Sequence, residues 1–444
     1  MPSRKLSVAL INHGCKLNQF EGEAILQALA NYGFRVAKIT TNFVPDIVIV
    51  NTCTVTSKSD RKSRNSIMRA AGVLRGRGYL IVTGCYAETD GQLLRGIDGV
   101  NLVVGNSEKS SIPDIVKAYF DRGEQRSSYH PSPFNFDYTG GLERSRVFIK
   151  VQDGCSMGCS YCKVPLARGG SVSRDYHQII ESAKRIASRG YREVVLTGID
   201  LGSYCYEGIR LGELLIMLLE STPETLRVRL SSIEPVHFND ELLDGISDSR
   251  IAPHFHVPLQ SGSDRILNLM KRHYSVSDYL SVIKRIRDVR PACHIASDII
   301  VGFPSESEGD FLDTLEVIKS IDFSSLHVFK YSVRKGTDAA FLRDDIPCCE
   351  KVRRSNAVIT LGQALNYAYR SRFVGSVLHA IFQKKSNHYI GVTGNYIKVR
   401  VNSSEDLERK CLPVLITHAG VNDTSGEVIF SSWPEAGVFR GHMV

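Results

Sequence analysis

The chain has 444 residues, 43% apolar and 23% charged, with a formal net charge of +8, the composition of a folded globular protein of two to four domains. Its apolar runs, such as residues 214–219, fall far short of the roughly 18 residues a membrane span requires. The opening Met1-Pro2-Ser3-Arg4-Lys5 leads straight into a strand-like run with no secretory apolar segment, so a transmembrane or ordinary secreted protein is excluded and a cytoplasmic protein without a membrane partner is expected.

The first 122 residues read as alternating strands and helices. Residues 6–11, 46–51 and 79–83 are short β-rich runs, each followed by a turn and a helical pattern. The helix over 18–32 sets Ile25, Leu26 and Leu29 on one face and stops at Gly33. Such alternation predicts a mostly parallel sheet with helices on its faces. Residues 123–141 lose all periodicity and are rich in Ser, Pro and Gly, a linker.

A second strand–helix series fills 142–372. Strands are predicted at 147–151, 193–196, 227–230, 254–257, 294–300 and 326–331, separated by helices that include 175–188, 211–220, 279–289 and 311–320. Six βα units make three-quarters of an eight-fold barrel, so an open, partial barrel is expected. A polar helix over about 350–370 follows. From 373 to 440 the helical period gives way to short strands at 377–382, 396–401, 412–416 and 427–430, the pattern of a small antiparallel β-barrel of about five strands.

Eleven cysteines, an odd number, point to thiol or metal chemistry before a disulfide framework. The most specific motif is Gly154-Cys155-Ser156-Met157-Gly158-Cys159-Ser160-Tyr161-Cys162, three cysteines spaced C-x3-C-x2-C directly after the first strand of the predicted barrel. Three thiolates in so short a loop can cap three irons of a 4Fe-4S cube and leave the fourth iron open. A structural zinc site wants four ligands, usually as two separated pairs, and only one triplet is present. The loop resembles the radical S-adenosylmethionine (SAM) superfamily. That resemblance implies that the open iron chelates the amino and carboxylate groups of SAM, and that one electron from the cluster cleaves it to a 5′-deoxyadenosyl radical. It also places Tyr161 near the adenine.

Cys15, Cys53 and Cys85 each follow the end of a predicted strand, in the settings HGCKLNQFEGE, VNTCTVT and TGCYAE. Strand C-termini of a parallel sheet share one edge, so the three thiols can meet there without a local motif. Taken alone, they read more simply as semi-buried packing residues. Together with the radical SAM triplet and the terminal barrel, however, the chain resembles the methylthiotransferases, whose terminal module is the TRAM domain. The resemblance covers nearly the whole length. It implies that Cys15, Cys53 and Cys85 hold an auxiliary 4Fe-4S cluster carrying the sulfur to be inserted. The remaining cysteines, Cys205, Cys293, Cys348, Cys349 and Cys411, match no ligand position and read as structural.

Within that family, Leu196-Thr197-Gly198-Ile199-Asp200-Leu201-Gly202-Ser203-Tyr204 and Arg229-Leu230-Ser231-Ser232-Ile233-Glu234-Pro235 resemble the MtaB branch. The branch implies insertion of a methylthio group at the adenine carbon between the two ring nitrogens of N6-threonylcarbamoyladenosine, beside the anticodon of tRNA. Two 4Fe-4S clusters and two SAM molecules are used, with a reducing electron donor such as a flavodoxin or ferredoxin and a sulfur donor as further partners. No side-chain acid or base is evident, so the cluster ligands carry the chemistry. Gly198, Asp200, Glu234, Gln260 and Asp298, at predicted strand ends, are candidate SAM contacts with Tyr161; helix capping or pairing with nearby arginines accounts for the polar ones equally well. The basic stretch 58–77, with seven Lys or Arg and only Asp60, is either an RNA-facing helix or a solvated one. Lys398 and Arg400 alternate with Ile397, Val399 and Val401, so they should face out and suit phosphate contacts. Rival readings are methylthiolation of a ribosomal-protein aspartate or of isopentenyladenosine in tRNA, and a non-catalytic Fe-S protein that binds tRNA and senses redox state.

Overall fold

A computed structural model describes residues 5–40, 43–122, 132–136, 138, 140–141 and 144–430. Most of the expected 123–141 linker and residues 431–440 of the expected last domain lie outside them. The chain divides into two compact units. The first comprises Met1–Gly141, Asp153–Val172 and Ser332–Thr337, and the second Leu142–Gln152, Ser173–Tyr331 and Asp338–Val444.

The first unit is built on a five-stranded sheet: β1 (Ser7–Asn12), β2 (Arg35–Val36), β3 (Ile47–Thr52), β4 (Tyr79–Gly84) and β5 (Leu102–Val104). All pairs are parallel, in the order β2-β1-β3-β4-β5, the flavodoxin-like arrangement. β3 is buried along its whole length because Ile47, Val48, Ile49 and Val50 give both faces an apolar side chain. Val48 and Val50 pack under α2 (Ser57–Leu74) and α3 (Cys85–Arg95) through Ile67, Leu74 and Tyr86. Ile47 and Ile49 pack on the opposite face with Ile25 and Leu29 of α1 (Lys16–Asn31) and Val116 of α4 (Ile112–Arg122). A short helix, α5 (Val164–Arg168), follows the cysteine loop in this unit.

The second unit carries six parallel strands: β6 (Val147–Lys150), β7 (Glu193–Thr197), β8 (Arg227–Leu230), β9 (His254–His256), β10 (His294–Val301) and β11 (Ser325–Lys330). They pair as β8-β7-β6 and β9-β10-β11, and a parallel bridge from Ser232 to His256 joins the two halves. This is the open six-strand barrel expected from the sequence. The helices between are α6 (Tyr176–Ser188), α7 (Leu211–Ser221), α8 (Asp240–Ser247), α9 (Asp264–Leu269), α10 (Val276–Val289), α11 (Glu308–Ile321) and α12 (Cys348–Ser371). Helices α10 and α11 begin three residues before their predicted starts. Ser275 with Asp278, and Ser307 with Asp310, form reciprocal capping boxes that satisfy the first-turn N–H groups.

A closed barrel ends the described chain: β12 (Val377–Lys385), β13 (His388–Thr393), β14 (Lys398–Val401), β15 (Cys411–Ala419) and β16 (Thr424–Val428), in the order β12-β13-β14-β16-β15. It is consistent with a TRAM-like module. Its β13 has no counterpart among the predicted strands, since His388 and Gly391 interrupt the β-rich pattern. An ionic layer joins this barrel to β7 and β8. Arg227 and Arg229, both buried, share the fully buried Glu193 at 2.6 and 2.9 Å. Their outer N–H groups donate to the carbonyls of His379, Val392, Thr393 and Gly394. Burial opposes ionisation of Glu193, but Arg229 and Arg227 outweigh it and hold its carboxyl well below the usual range.

Candidate iron–sulfur and cofactor sites

In the first unit Cys15 occupies the N-cap of α1 after β1, Cys53 follows β3, and Cys85 opens α3 after β4. Parallel pairing alone brings these strand ends to one edge of the sheet, and buried polar groups then fix their loops. Asn18 donates from Nδ2 to the carbonyls of His13 and Thr52 at 2.9 and 2.8 Å, tying the Cys15 turn to the Cys53 turn. The Thr52 hydroxyl donates to the Thr83 carbonyl at 2.6 Å and accepts from the Ala87 N–H, tying Cys53 to Cys85. Gly84 has φ +101°, and a Cβ there would meet the Thr52 carbonyl at 2.3 Å, so only glycine lets β4 end this close to β3. Burial pushes the Cys53 thiol up to about 11, and neighbouring Cys15 and Cys85 push it the same way. The charge that Cys53 would take on as a thiolate, beside two further sulfurs, is what a bound cluster would offset.

The second triplet lies on the loop from Asp153 to Val172 of the same unit. Gly154 (φ +69°) abuts Gly170 so closely that a Cβ would lie 2.0 Å from its carbonyl oxygen. The two ends of the loop are thereby held together, with the Cys155 N–H donating to the Gly169 carbonyl at 3.1 Å. Cys155, Cys159 and Cys162 are half-buried, and Tyr161 is half-buried beside them. A structural zinc ion takes four protein ligands, whereas three thiolates suffice to cap three irons of a four-iron cube. Both donor sets fit the cluster.

Sequence reasoning missed the ionic ring around these loops. The Arg168 side chain on α5 is fully buried; it donates to Glu21, Asp153 and Asn18 and, from Nε, to Cys85 Sγ at 3.3 Å. Lys109 pairs with Glu21 at 2.6 Å. Arg334 pairs with Asp60 at 2.9 Å and donates to the Thr54 carbonyl, one residue past Cys53. No local motif announces them; the one available signal is Asn18 and Glu21, polar residues a helical turn apart on α1.

In the second unit, Gly198, Asp200, Glu234, Gln260 and Asp298 stand at or near the C-terminal ends of β7 to β10. Gln152 Oε1 accepts from the Ile199 and Asp200 N–H groups at 2.9 and 3.0 Å. Asp200 is buried; its Oδ2 meets His237 Nε2 at 3.1 Å, while Oδ1 has no partner among the described residues. That orphaned acceptor fits the ammonium of an amino-acid cofactor such as SAM. Glu234 is ion-paired to Arg272. Gln260 adopts φ +69° and exchanges backbone hydrogen bonds with β10. Asp298 meets His256 Nε2 and His327 Nδ1 at 2.9 and 3.0 Å. Burial works against its ionisation, but the two imidazoles outweigh that and hold the carboxyl well below the usual range. Glu234 and Asp298 thus already have strong protein partners, and Asp200 keeps a vacant oxygen.

Lys398 and Arg400 project outward from β14, with Val399 and Val401 buried. All seven basic residues of 58–77 are exposed as well. Of the cysteines expected to be structural, Cys293 is buried and Cys411 partly so; Cys205, Cys348 and Cys349 are exposed, and packing does not account for those three.

A partial βα barrel whose first strand is followed along the chain by a C-x3-C-x2-C loop defines a radical SAM enzyme, a class that uses SAM and a 4Fe-4S cluster. The Radical SAM superfamily model matches residues 149–318 and that of the Uncharacterized protein family UPF0004 matches residues 7–105. The chain is 34% identical over 439 residues, 95% of its length and 96% of the relative's, to the threonylcarbamoyladenosine tRNA methylthiotransferase MtaB of Bacillus subtilis. A further relative of that name, from Aquifex aeolicus, matches at 37% identity, over 89% of the chain and 96% of the relative. The tRNA-2-methylthio-N(6)-dimethylallyladenosine synthase of Neisseria meningitidis is 30% identical, over 94% of the chain and 98% of the relative. Among solved structures, the radical SAM methyltransferase TsrM of Kitasatospora setae shares the fold (TM-score 0.54, 14% identity, 73% of this chain and 72% of that one). The chain belongs to the radical SAM methylthiotransferase family, in its MtaB group.

Proposed function

We propose that this enzyme inserts a methylthio group at the adenine carbon between the two ring nitrogens of N6-threonylcarbamoyladenosine, next to the anticodon of tRNA. The observation that carries the substrate is the near full-length similarity to relatives named for that nucleoside. On this reading Cys155, Cys159 and Cys162 hold one 4Fe-4S cluster, and Cys15, Cys53 and Cys85 hold a second, the sulfur-carrying one. SAM serves twice, as methyl donor and as radical source, and together with the clusters supplies a one-electron route to an otherwise unreactive aromatic carbon.

The chain's own residues bind and orient. Tyr161 and Gly198 line the cofactor, and the free Oδ1 of Asp200 accepts from its ammonium group. Glu234, Gln260 and Asp298 hold the surrounding strand ends in place, Glu234 through Arg272 and Asp298 through His256 and His327. Lys398 and Arg400 grip phosphates of the RNA. The division follows as 1–122 for the sulfur-carrying domain, 123–141 for a linker, 142–372 for the radical SAM core and 373–440 for the RNA-binding barrel. The enzyme acts in the cytoplasm, with an external low-potential electron donor and a sulfur donor.

Nucleoside mass spectrometry of tRNA incubated with the reconstituted enzyme, SAM and a reductant tests the substrate. The methylthio form of threonylcarbamoyladenosine should accumulate, and the same tRNA with unmodified adenosine should stay unchanged. Preference for isopentenyladenosine, or conversion of the ribosomal protein, would move the enzyme to another branch.

A further inference from the structure

We infer that Arg168 sets the reduction potential of the cluster held by Cys15, Cys53 and Cys85, by aiming its Nε–H at the Cys85 sulfur; this rests on the reading that those cysteines hold a cluster. The side chain is 0% exposed, so its guanidinium must be satisfied by protein. Nη1 donates to Glu21 Oε1 at 2.9 Å and to both Asp153 oxygens at 2.9 and 3.0 Å. Nη2 donates to Asn18 Oδ1 at 2.6 Å and to Glu21 Oε2 at 3.0 Å. The outer nitrogens alone satisfy the ion pairs, and they lock the guanidinium plane. What remains is Nε–H, and it lies 3.3 Å from Cys85 Sγ. The Asn106 amide, itself anchored on the Ala167 carbonyl at 2.7 Å, lies 3.6 Å from the same sulfur.

The charges close around this sulfur. Glu21 and Asp153 carry two negative charges and Arg168 and Lys109 two positive ones, all within one buried network. Within that network Arg168 donates directly to the Cys85 sulfur. When a cluster takes up one electron from an external reductant, the added charge spreads onto its ligand sulfurs. A cationic donor in a water-excluded site stabilises that reduced state more than the oxidised one, so Arg168 raises the potential. Hydrogen bonds to cluster sulfurs are an established way for a protein to set this quantity. Arg168 also sits on the helix that follows Cys162, and Asp153 stands two residues before Cys155. The loop that carries one cysteine triplet therefore supplies the donor for a ligand of the other, which makes Arg168 a positioning residue shared by both.

The test uses the full chain carrying C155A, C159A and C162A, reconstituted with iron and sulfide, so that one cluster remains. Its potential is read by electron paramagnetic resonance during a redox titration, with iron per chain measured for every variant. Arg168→Gln should shift the midpoint to more negative values, and Arg168→Lys should shift it less. Glu21→Gln should shift it the opposite way, because Arg168 and Lys109 are then opposed by Asp153 alone. A purely structural ion pair would lower thermal stability in all of these without opposite shifts. Should Arg168→Gln fail to hold iron, the opposite signs of Arg168→Lys and Glu21→Gln decide the matter. Equal potentials, or shifts in the same direction at matched iron content, overturn the assignment. A triple-cysteine variant that binds no iron at all would instead remove the second cluster, and this inference with it.

Discussion

His294 shows how much a single buried side chain can govern. It opens β10 with 3% exposure, its Nδ1 has no partner among the described residues, and the rings of His254, Tyr369 and Tyr396 surround it. Burial, reinforced by Arg229, pushes its pKa down to about 3. Between the ordinary histidine value of about 6.5 and that depressed value, the unfolded chain binds a proton that the folded one does not. Stability is therefore complete above the unfolded pKa and falls as the pH drops through the window, by up to about 1.4 kcal/mol per pH unit from this group. Urea unfolding between pH 7 and 4 should show that slope in the wild type, and His294→Gln should flatten it; parallel curves would refute the assignment. The residue scale is also where sequence reading was least even. The C-x3-C-x2-C loop was legible because its three cysteines share one short stretch of chain. Arg168 was not, because Cys85, Glu21 and Asn18 stand 83, 147 and 150 residues away from it. Burial makes that arginine important, and burial at such separations is set by tertiary packing, which leaves no periodic trace.

Elements were legible where one physical pattern dominates. β3 reads as a buried strand because it is nearly all β-branched, and the alternation of Lys398 and Arg400 with Ile397, Val399 and Val401 fixed which side of β14 faces out before any packing was known. Helices α8 and α9 went unpredicted because each is too short to build a periodicity; Asn239 and Ser263 start them by capping. The contact between β7, β8 and the C-terminal barrel was equally hidden, since Glu193, Arg227 and Arg229 read from sequence as ordinary charged strand residues. Their burial makes a strong prediction. Glu193→Gln leaves two guanidiniums under the barrel without their counter-charge, and breaking a buried pair in this way costs about 3–5 kcal/mol. The denaturant midpoint should fall accordingly, and a change under about 1 kcal/mol would mean that the layer is hydrated. For the same reason, removing everything past residue 373 would strip Arg227 and Arg229 of four carbonyl acceptors. Such a truncation would destabilise the radical SAM core as well as remove an RNA-binding surface, so it does not isolate the barrel's role.

At the scale of the whole molecule, the net charge of +8 says that a polyanion is tolerated, and the distribution of that charge says where it can bind. Two exposed basic surfaces are available, one on α2 in the first unit and one on β14 in the second. Phosphate contacts release condensed counterions, so each contact adds to the slope of log affinity against log salt. If β14 grips tRNA, the double charge reversal K398E/R400E should weaken binding at physiological salt and reduce that slope by about one unit per lost contact. Iron content and the unfolding midpoint should not change, because both side chains project into solvent from a strand whose buried face is untouched. The matching reversal on α2, K58E/R61E/K62E, provides the comparison. A slope that falls only with the α2 variant would place the RNA on the first unit and leave β14 as a solvated edge. Slopes that fall with both would mean that the two units hold the substrate together, each with its own phosphates. An unchanged slope in both would remove electrostatic capture from the account, and tRNA recognition would then have to come from the nucleoside at the barrel's strand ends alone.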